Sequence, residues 1–243
     1  MRIETAQIIR DQVIAALDVD TLEDALALVE RLDGRVRRFK IGSRLFTLYG
    51  PQILDRLGDR GAEIFLDLKF HDIPSVIHQA CKHGAAHEAV FMMTVHASGG
   101  RAMLEAAVEG AAAGRHSPPA VIAVTALTSL SPDDVTSLGI ATSLAEWAGR
   151  LAGLTVECGL DGLVCSPLEA RTFRDRFGPD IKLVTPGIRL STPGAGDDQV
   201  RVMTPGKALA AGSSYLVIGR PIYEAEDPIA AVEAIGRSID EEH

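Results

Sequence analysis

Two lysines and two aspartates lie close together in the first third of the chain, where apolar segments end. The stretch IFLDLKFHDIP, residues 64–74, begins as an apolar run and then carries Asp67 and Lys69, with Asp72 three residues later. Residues two apart on a strand project from the same face, so Asp67 and Lys69 are predicted to point the same way. Lys40 lies near the end of an earlier apolar segment. These four charges are the first candidates for chemistry.

Two lysines and two aspartates at the ends of apolar segments are predicted to form ion pairs with one another. Charges removed from water are tolerated when they neutralise one another and are costly otherwise. Without a Cys or Glu set typical of a metal site, the array favours proton transfer by a lysine. Lys69 is the predicted acid, and Lys40, Asp67 and Asp72 complete the predicted catalytic set. A salt-bridge network that only holds the strand ends, with Asp72 capping the next helix, is the structural alternative.

Eight short apolar, β-branched runs are the elements that must position these charges. The predicted strands lie near residues 12–18, 37–42, 62–69, 89–96, 120–126, 161–166, 181–187 and 214–219. Capping boxes predict three of the helix starts between them: Thr21 with Asp24, Ser143 with Glu146, and Ser166 with Glu169. Strand and helix therefore alternate along the whole chain.

This alternation predicts an α/β fold with a parallel sheet, and eight units in 243 residues predict a (β/α)8 TIM barrel. We expect residues 1–243 to form a single domain. A doubly wound open sheet is the alternative, but it commonly carries a glycine-rich fingerprint that this sequence lacks. In a barrel the carboxyl ends of the strands build the active site. The polar residues predicted there are Asp18, Lys40, Asp67, Lys69, His96, Thr128, Ser166, Arg189 and Arg220.

The last two strand ends have the composition of a phosphate site. Gly219 and Arg220 follow the last strand, and barrels commonly hold phosphate in the loops after strands seven and eight. Glycine lets a backbone N–H approach a ligand, and arginine is a two-pronged donor. The loop before the last helix–strand unit contains Arg189 and Gln199 and is rich in Gly and Pro, which favours a lid over a ligand. An ordinary exposed loop is the alternative.

Composition excludes several classes of protein. A net charge of −9 argues against a nucleic-acid partner, which requires a basic face. The first residues lack the apolar region of a signal peptide, and no apolar run approaches a membrane span, so no membrane partner is expected. The three cysteines are sparse and lack a CxxC pair, which predicts reduced, packed thiols in a cytoplasmic protein.

Several motifs occur together in a recognisable order. FKIG, FLDLKFHDIP, VHASGG, LTSL, TPGIR with GDDQ, and YLVIGRPI run from the second strand to the last. With Asp18 they cover nearly every predicted strand end. The sequence resembles the orotidine 5′-phosphate decarboxylase family, of the bacterial type.

The resemblance implies decarboxylation of orotidine 5′-phosphate to uridine 5′-phosphate and CO₂, in the last step of pyrimidine nucleotide synthesis, without a metal or organic cofactor. It implies that Lys69 donates a proton to ring carbon C6, with Lys40 and Asp67 beside it. Asp72 and Ile73 are implied to enter the site from the other subunit of a homodimer. The remaining implied contacts are Asp18 with the ribose, Thr128 with the pyrimidine, and Arg189, Gln199, Gly219 and Arg220 with the phosphate.

Two features depart from the family pattern. Val76 stands where the family has a threonine, so this chain lacks the hydroxyl that the family pattern implies for a ribose contact. The loop from Arg189 to Gln199 is about one residue longer than in common members. Neither departure touches the charged set.

Two other functions remain open. Sugar-phosphate decarboxylases or aldolases of the same barrel group use Mg²⁺, with a glutamate where this chain has Lys40. A noncatalytic nucleotide-binding barrel would need the phosphate and ribose residues but not two lysines beside two aspartates.

Overall fold

The computed structural model describes residues 2–32, 34–190 and 202–242. Eight parallel strands in these ranges close into a barrel in chain order, with the eighth strand paired to the first. The strands are β1 Val13–Ala16, β2 Arg38–Gly42, β3 Glu63–Phe70, β4 Val90–His96, β5 Ala120–Val124, β6 Gly162–Val164, β7 Lys182–Thr185 and β8 Tyr215–Ile218. Each overlaps its predicted range, and the predicted (β/α)8 fold is confirmed.

Helices connect the strands and cover the barrel. They are α1 Ile3–Gln12, α2 Leu22–Arg31, α3 Ser43–Tyr49, α4 Gln52–Gly58, α5 Pro74–Ala85, α6 Arg101–Gly114, α7 Pro132–Ser137, α8 Leu144–Glu157, α9 Ala170–Phe177, α10 Pro205–Ala210, α11 Arg220–Tyr223 and α12 Pro228–Glu242. A 3-10 turn, Ala97–Gly99, follows β4. None of the helices in the described ranges combines the length and apolar character needed to cross a membrane.

The capping predictions are confirmed at two of three helix starts. Thr21 and Ser143 accept hydrogen bonds from the N–H groups three residues later, at the start of α2 and α8. The third prediction is wrong. The Glu169 carboxylate accepts a hydrogen bond from the Ser166 N–H at 2.9 Å, but the pair closes a turn and α9 begins only at Ala170. A capping pattern can therefore stabilise a turn that precedes a helix.

Alternate strand residues point into the barrel and fill it with apolar side chains. The interior cluster contains Ile14, Ala16, Phe65, Met92, Ile122, Val124, Val164, Val184 and Val217. The residues between them pack outward under the helices. Arg38 and Lys40 are in register with interior residues of β1, so they lie at opposite ends of this apolar filling.

Arg38 closes the amino-terminal end of the barrel. Its guanidinium carbon lies 5.0 Å from the ring centroid of Phe91 and 5.3 Å from that of Tyr215. Its Nε lies 2.9 Å from Glu63 Oε2. Cation–π contacts and an ion pair therefore stabilise this end, and the carboxyl-terminal end remains for a site.

The pairing of β3 with β4 is irregular beside that carboxyl-terminal end. Two register pairs flank the irregularity: Leu66 with Met93, and Phe70 with Val95. Between them β3 has residues 67–69 and β4 has only Thr94, so β3 bulges. Lys69, in the bulge, has a φ of 51°, and it is the sole non-glycine residue with positive φ in the described ranges. Bulges beside active sites redirect side chains, and this one contains two of the predicted catalytic residues.

The three cysteines, Cys81, Cys158 and Cys165, are free and buried, as predicted. Burial raises the pKa of the Cys81 thiol to about 12, so this thiol is protonated at neutral pH.

Candidate active site

A pocket of about 290 Å³ opens at the carboxyl-terminal ends of the strands, a volume near the lower end for small-ligand sites. Interior barrel residues form its apolar floor: Ala16, Phe65, Val124, Val164 and Val217. Its polar lining includes these residues predicted from the sequence: Asp18, Lys40, Asp67, Lys69, Thr128, Arg189, Gly219 and Arg220. The predicted strand ends thus meet around one cavity.

Charges alternate along one wall of this pocket. Lys69 Nζ lies 2.8 Å from Asp67 Oδ2, and Lys40 Nζ lies 3.7 Å from the same oxygen. Lys40 Nζ also lies 3.1 Å from Asp18 Oδ1. The order is therefore Asp18, Lys40, Asp67, Lys69, in which each cation touches a carboxylate. We name these four residues the charged row.

Asp67 is the most enclosed member of the charged row, with a side chain 10% exposed. Burial raises the pKa of the Asp67 carboxyl, but the charges of Lys40 and Lys69 and hydrogen bonds from Lys69 and Thr94 outweigh it. Together they hold the pKa below its ordinary value. Asp67 is consequently ionised at neutral pH and keeps two cations together in the pocket.

Asp18 lies in the loop after β1, and neighbouring residues keep it beside Lys40. Arg44 Nη1 donates a hydrogen bond to the Asp18 backbone carbonyl at 2.8 Å. A Cβ at Gly42 would lie 3.2 Å from Lys40 Nζ and 3.7 Å from Asp18 Oδ1. Glycine at the end of β2 therefore leaves room for this ion pair.

The residues predicted for phosphate, Arg189, Gly219 and Arg220, line the same pocket. Gly219 precedes α11, and Arg220 is the first residue of that helix. The Arg189 N–H donates a hydrogen bond to the Met203 carbonyl at 3.0 Å. Two guanidinium groups and the Gly219 backbone therefore line the same pocket as the charged row, an arrangement suited to an anionic ligand group.

Tyr223 also lines this pocket, although no sequence pattern pointed to it. A Cβ on Gly219 would lie 3.3 Å from Tyr223 Cε1, so the ring and the Gly219 backbone are close neighbours. Burial, Glu224 and Asp18 raise the pKa of the Tyr223 hydroxyl, against the opposing effects of Arg220 and Arg44. No strand-end pattern marks this residue, because it lies within a helix after β8.

Thr94 was also missed, although alternation along β4 could have located it. It lies two residues before His96, which the sequence analysis placed at a strand end. Thr94 is fully buried beneath the pocket, where its hydroxyl contacts Asp67. Its apolar neighbours on β4 gave it the appearance of an ordinary core residue.

The structure does not bring Asp72 into the charged row of its own chain. Asp72 is exposed, and its Oδ1 accepts a hydrogen bond from the Ile73 N–H at 2.7 Å. Ile73 is 63% exposed and precedes α5. Within one chain Asp72 therefore lies outside the charged row, whose second carboxylate is Asp18, and the expectation that Asp72 enters the site from another subunit stays a prediction. The physical reason is that the chain leaves the barrel after Phe70 to begin α5.

Two other predicted strand-end residues lie elsewhere. His96 and Ser166 do not line this pocket in the described part of the chain. The His96 ring lies 5.5 Å from the His71 ring, and burial, His71 and Lys69 lower the pKa of His96 against the opposing effect of Asp67. Gln199 and most of the predicted lid, residues 189–199, lie outside the described residues.

The described residues contain no cluster of three or more His, Cys, Asp or Glu side chains suited to holding a metal ion. The charged row itself is a poor site for a divalent cation, because Lys40 and Lys69 already neutralise its two carboxylates. The row is better suited to positioning ammonium groups.

The barrel and the pocket define a (β/α)8-barrel enzyme whose charged site lies at the carboxyl ends of its strands. The family model described as "Orotidine 5′-phosphate decarboxylase / HUMPS family" matches residues 11–235. The chain belongs to this family, and the resemblance predicted from the motifs is confirmed.

Individual relatives agree with the family match. A protein of Chromobacterium violaceum named orotidine 5′-phosphate decarboxylase is 54% identical over 227 residues, which cover 93% of this chain and 91% of the relative. An Escherichia fergusonii protein of the same name is 49% identical over 236 residues, which cover 97% of this chain and 96% of the relative. The crystal structure of orotidine 5′-phosphate decarboxylase from Lactobacillus acidophilus matches with a TM-score of 0.84 and 38% sequence identity. The match covers 95% of this chain and 99% of that one. The predicted enzyme class, a carboxy-lyase, is the class that these names describe.

Proposed function

We propose that this chain converts orotidine 5′-phosphate to uridine 5′-phosphate and CO₂, without a metal ion or organic cofactor. Family membership supports the reaction, and the charged row supports the roles of individual residues. The observation that carries the proposal is the pocket itself: two lysines held by two carboxylates share it with Arg189 and Arg220 above an apolar floor. A substrate with a reacting carboxylate at one end and a phosphate at the other fits this distribution of charge.

The chemistry explains why fixed ammonium groups are needed. When the bond between C6 and the carboxyl carbon breaks, its electron pair stays on C6 in the plane of the ring, and CO₂ departs. No neighbouring carbonyl absorbs that pair, so stabilisation must be electrostatic and prearranged. We propose that Lys69 faces the developing carbanion and then transfers its ammonium proton to C6. Solvent reprotonates the neutral amine after the product leaves.

Asp67 and Lys40 hold Lys69 in place in this scheme. Asp67 Oδ2 contacts both ammonium groups, and Lys40 is fixed in turn by Asp18. Asp67 also brings negative charge near the departing carboxylate. Its main proposed task is to keep the lysines charged and oriented, because enclosed cations require a fixed counter-charge.

The phosphate end of the substrate is assigned to the pocket residues that follow β7 and β8. We propose that Arg220, Arg189 and the Gly219 backbone bind the phosphate, as the family resemblance implies, with Gln199 from the loop outside the described residues. Asp18 is proposed to bind the ribose hydroxyls and Thr128 the pyrimidine. Binding energy from this unreacting phosphate can contribute to a barrier reduction on the order of 20 kcal/mol, which a single lysine does not supply.

Asp72 and Ile73 are proposed to reach the site of a second copy of the chain in a homodimer. Both are exposed at the start of α5, and Val76 next to them is 45% exposed. An exposed apolar cluster beside a predicted catalytic carboxylate suits a subunit interface. We further propose that residues 1–243 form one domain and that the protein works in the cytoplasm, where buried free cysteines stay reduced.

The main competitor is a Mg²⁺-dependent sugar-phosphate decarboxylase or aldolase on the same barrel, because the family description also includes HUMPS. Lys40 argues against it: its ammonium lies between Asp18 and Asp67, where it repels a divalent cation. A noncatalytic nucleotide-binding barrel would not require the two held lysines.

Incubation with orotidine 5′-phosphate in the presence of EDTA tests the proposal. We expect the orotate absorbance to be lost at the same rate with and without EDTA. Absence of turnover would exclude the decarboxylase, and loss of activity with EDTA that Mg²⁺ restores would favour the metal-dependent competitor.

A further inference from the structure

The bulge in β3 places three residues opposite one residue of β4. Residues 67–69 lie between register pairs that on β4 are separated only by Thr94. Thr94 has no exposed surface and does not line the pocket, so it does not touch a ligand there. Thr94 therefore lies next to the charged row, on the side that faces away from the pocket.

The Thr94 hydroxyl binds both ends of the bulge. Its Oγ1 accepts a hydrogen bond from the Lys69 backbone N–H at 2.9 Å. The same hydroxyl donates to Asp67 Oδ1 at 3.0 Å. One hydroxyl thus fixes the backbone that carries the proposed acid and the carboxylate that orients it.

The two oxygens of Asp67 have separate partners. Oδ1 binds Thr94, whereas Oδ2 contacts both ammonium groups, at 2.8 Å from Lys69 Nζ and 3.7 Å from Lys40 Nζ. Rotation of the carboxylate would break the hydrogen bond to Thr94. The hydroxyl therefore sets the direction in which Oδ2 presents its charge to the lysines.

Lys69 needs such support because its φ of 51° lies in a region that residues with a Cβ rarely occupy. A conformation of this kind persists when surrounding contacts over-determine it, and such residues concentrate at functional sites. The hydrogen bond from the Lys69 N–H to Thr94 is a contact of this kind, made within the bulge itself.

We infer that Thr94 is a positioning residue that holds the bulge and so sets the geometry of Asp67 and Lys69 for catalysis. The catalytic part of this inference rests on the proposed function. Because Thr94 does not line the pocket, its loss should slow the chemical step and leave substrate binding nearly unchanged.

The test compares Thr94→Val, which keeps the shape but removes the hydroxyl, with Thr94→Ser, which keeps the hydroxyl. Thr155→Val is the matched control, because Thr155 is equally buried but donates to the Leu151 carbonyl within α8. We expect Thr94→Val to lower kcat by about 10- to 100-fold, the scale of a small misplacement of reacting groups, with KM changed by less than about 3-fold. Thr94→Ser should retain kcat within about 3-fold and Thr155→Val within about 2-fold.

A second measurement does not depend on turnover. In protein labelled with ¹⁵N-lysine, the Lys69 amide should exchange with solvent at least about 10-fold faster in Thr94→Val than in the wild type, because its hydrogen bond is lost. Thr155→Val should leave that rate unchanged. If Thr94→Val does not fold, Thr94→Ala is judged by the same two measurements.

The inference is overturned if Thr94→Val keeps the wild-type kcat, if KM alone changes, or if Lys69 amide exchange is unaltered. A wild-type protein that does not decarboxylate orotidine 5′-phosphate refutes the proposed function instead. In that case amide exchange still decides whether Thr94 holds the bulge.

Discussion

Lys69 Nζ lies 2.8 Å from Asp67 Oδ2, and the two residues stand at positions i and i+2 of β3. Side chains at i and i+2 of a regular strand leave the same face about 7 Å apart. Here the bulge and the positive φ of Lys69 bring them into contact. The same Asp67 oxygen approaches Lys40 from β2, so one carboxylate orients two cations from neighbouring strands.

Replacing Lys69 with alanine should abolish decarboxylation while the chain still folds. The variant loses both the charge that faces the carbanion and the proton that quenches it, so we expect kcat to fall by at least about 10³-fold. Circular dichroism and steady-state kinetics with orotidine 5′-phosphate provide the measurement. Lys182→Ala, which removes a strand lysine on β7 paired with Asp161, is the control and should retain activity. A Lys69→Ala enzyme slowed only a few-fold would contradict the role of Lys69.

Arg220 should be required for activation by the phosphate group. We expect Arg220→Ala to lower kcat/KM for orotidine 5′-phosphate by about 10²- to 10³-fold, the scale of a lost charge-assisted phosphate contact. A nucleoside substrate without the phosphate should be accelerated by phosphite dianion in the wild type but much less in the variant. Arg237→Ala, on the exposed face of α12, should behave like the wild type. Equal phosphite activation in the wild type and Arg220→Ala would show that the phosphate binds elsewhere.

If Asp72 acts across a subunit interface, two inactive variants should complement each other. In a hybrid dimer of Lys69→Ala and Asp72→Ala chains, one site combines an intact Lys69 with an intact Asp72 from the other chain. Random mixing makes half of the dimers hybrids, so about a quarter of the sites should recover. Activity is measured after co-expression and compared with each variant alone. No recovery, although hybrid dimers are present, would place Asp72 in its own chain's site or outside the chemistry.

The stability of the charged row should depend on pH through Asp67. Because the folded-state pKa of Asp67 is depressed, its ionised form stabilises the folded chain above the ordinary carboxyl pKa of about 3.9. As the pH falls from this value through the lower folded-state pKa, Asp67 becomes protonated in the folded chain and the contribution is lost. Within this window the free energy of unfolding should change by up to about 1.4 kcal/mol per pH unit on account of this one group.

Urea unfolding of the wild type and Asp67→Asn between pH 2.5 and about 6 measures this contribution. The variant should show a smaller decrease in unfolding free energy on acidification, whereas Asp175→Asn, at an exposed position of α9, should follow the wild type. An acid dependence for Asp67→Asn equal to that of the wild type would mean that Asp67 is not selectively stabilised in its ionised form.

Much of the site could be predicted from the sequence because parallel strands bring their carboxyl ends to one rim. Locating eight apolar runs was enough to place Asp18, Lys40, Thr128, Gly219 and Arg220 around a common cavity. Alternation along β3 also predicted that Asp67 and Lys69 share a face. These inferences depend only on local periodicity and chain order, which a single sequence contains.

Only the tertiary structure decided which charges touch. Alternation assigns a side chain to a face, but the contacts between strands depend on register and on the bulge, which no local pattern encodes. The partner of Lys40 on the loop after β1 is therefore Asp18, while Asp72 lies outside the pocket of its own chain. Thr94 could not be identified from the sequence for the same reason. A buried threonine on β4 became a candidate only when the structure placed its hydroxyl between Asp67 and the Lys69 backbone.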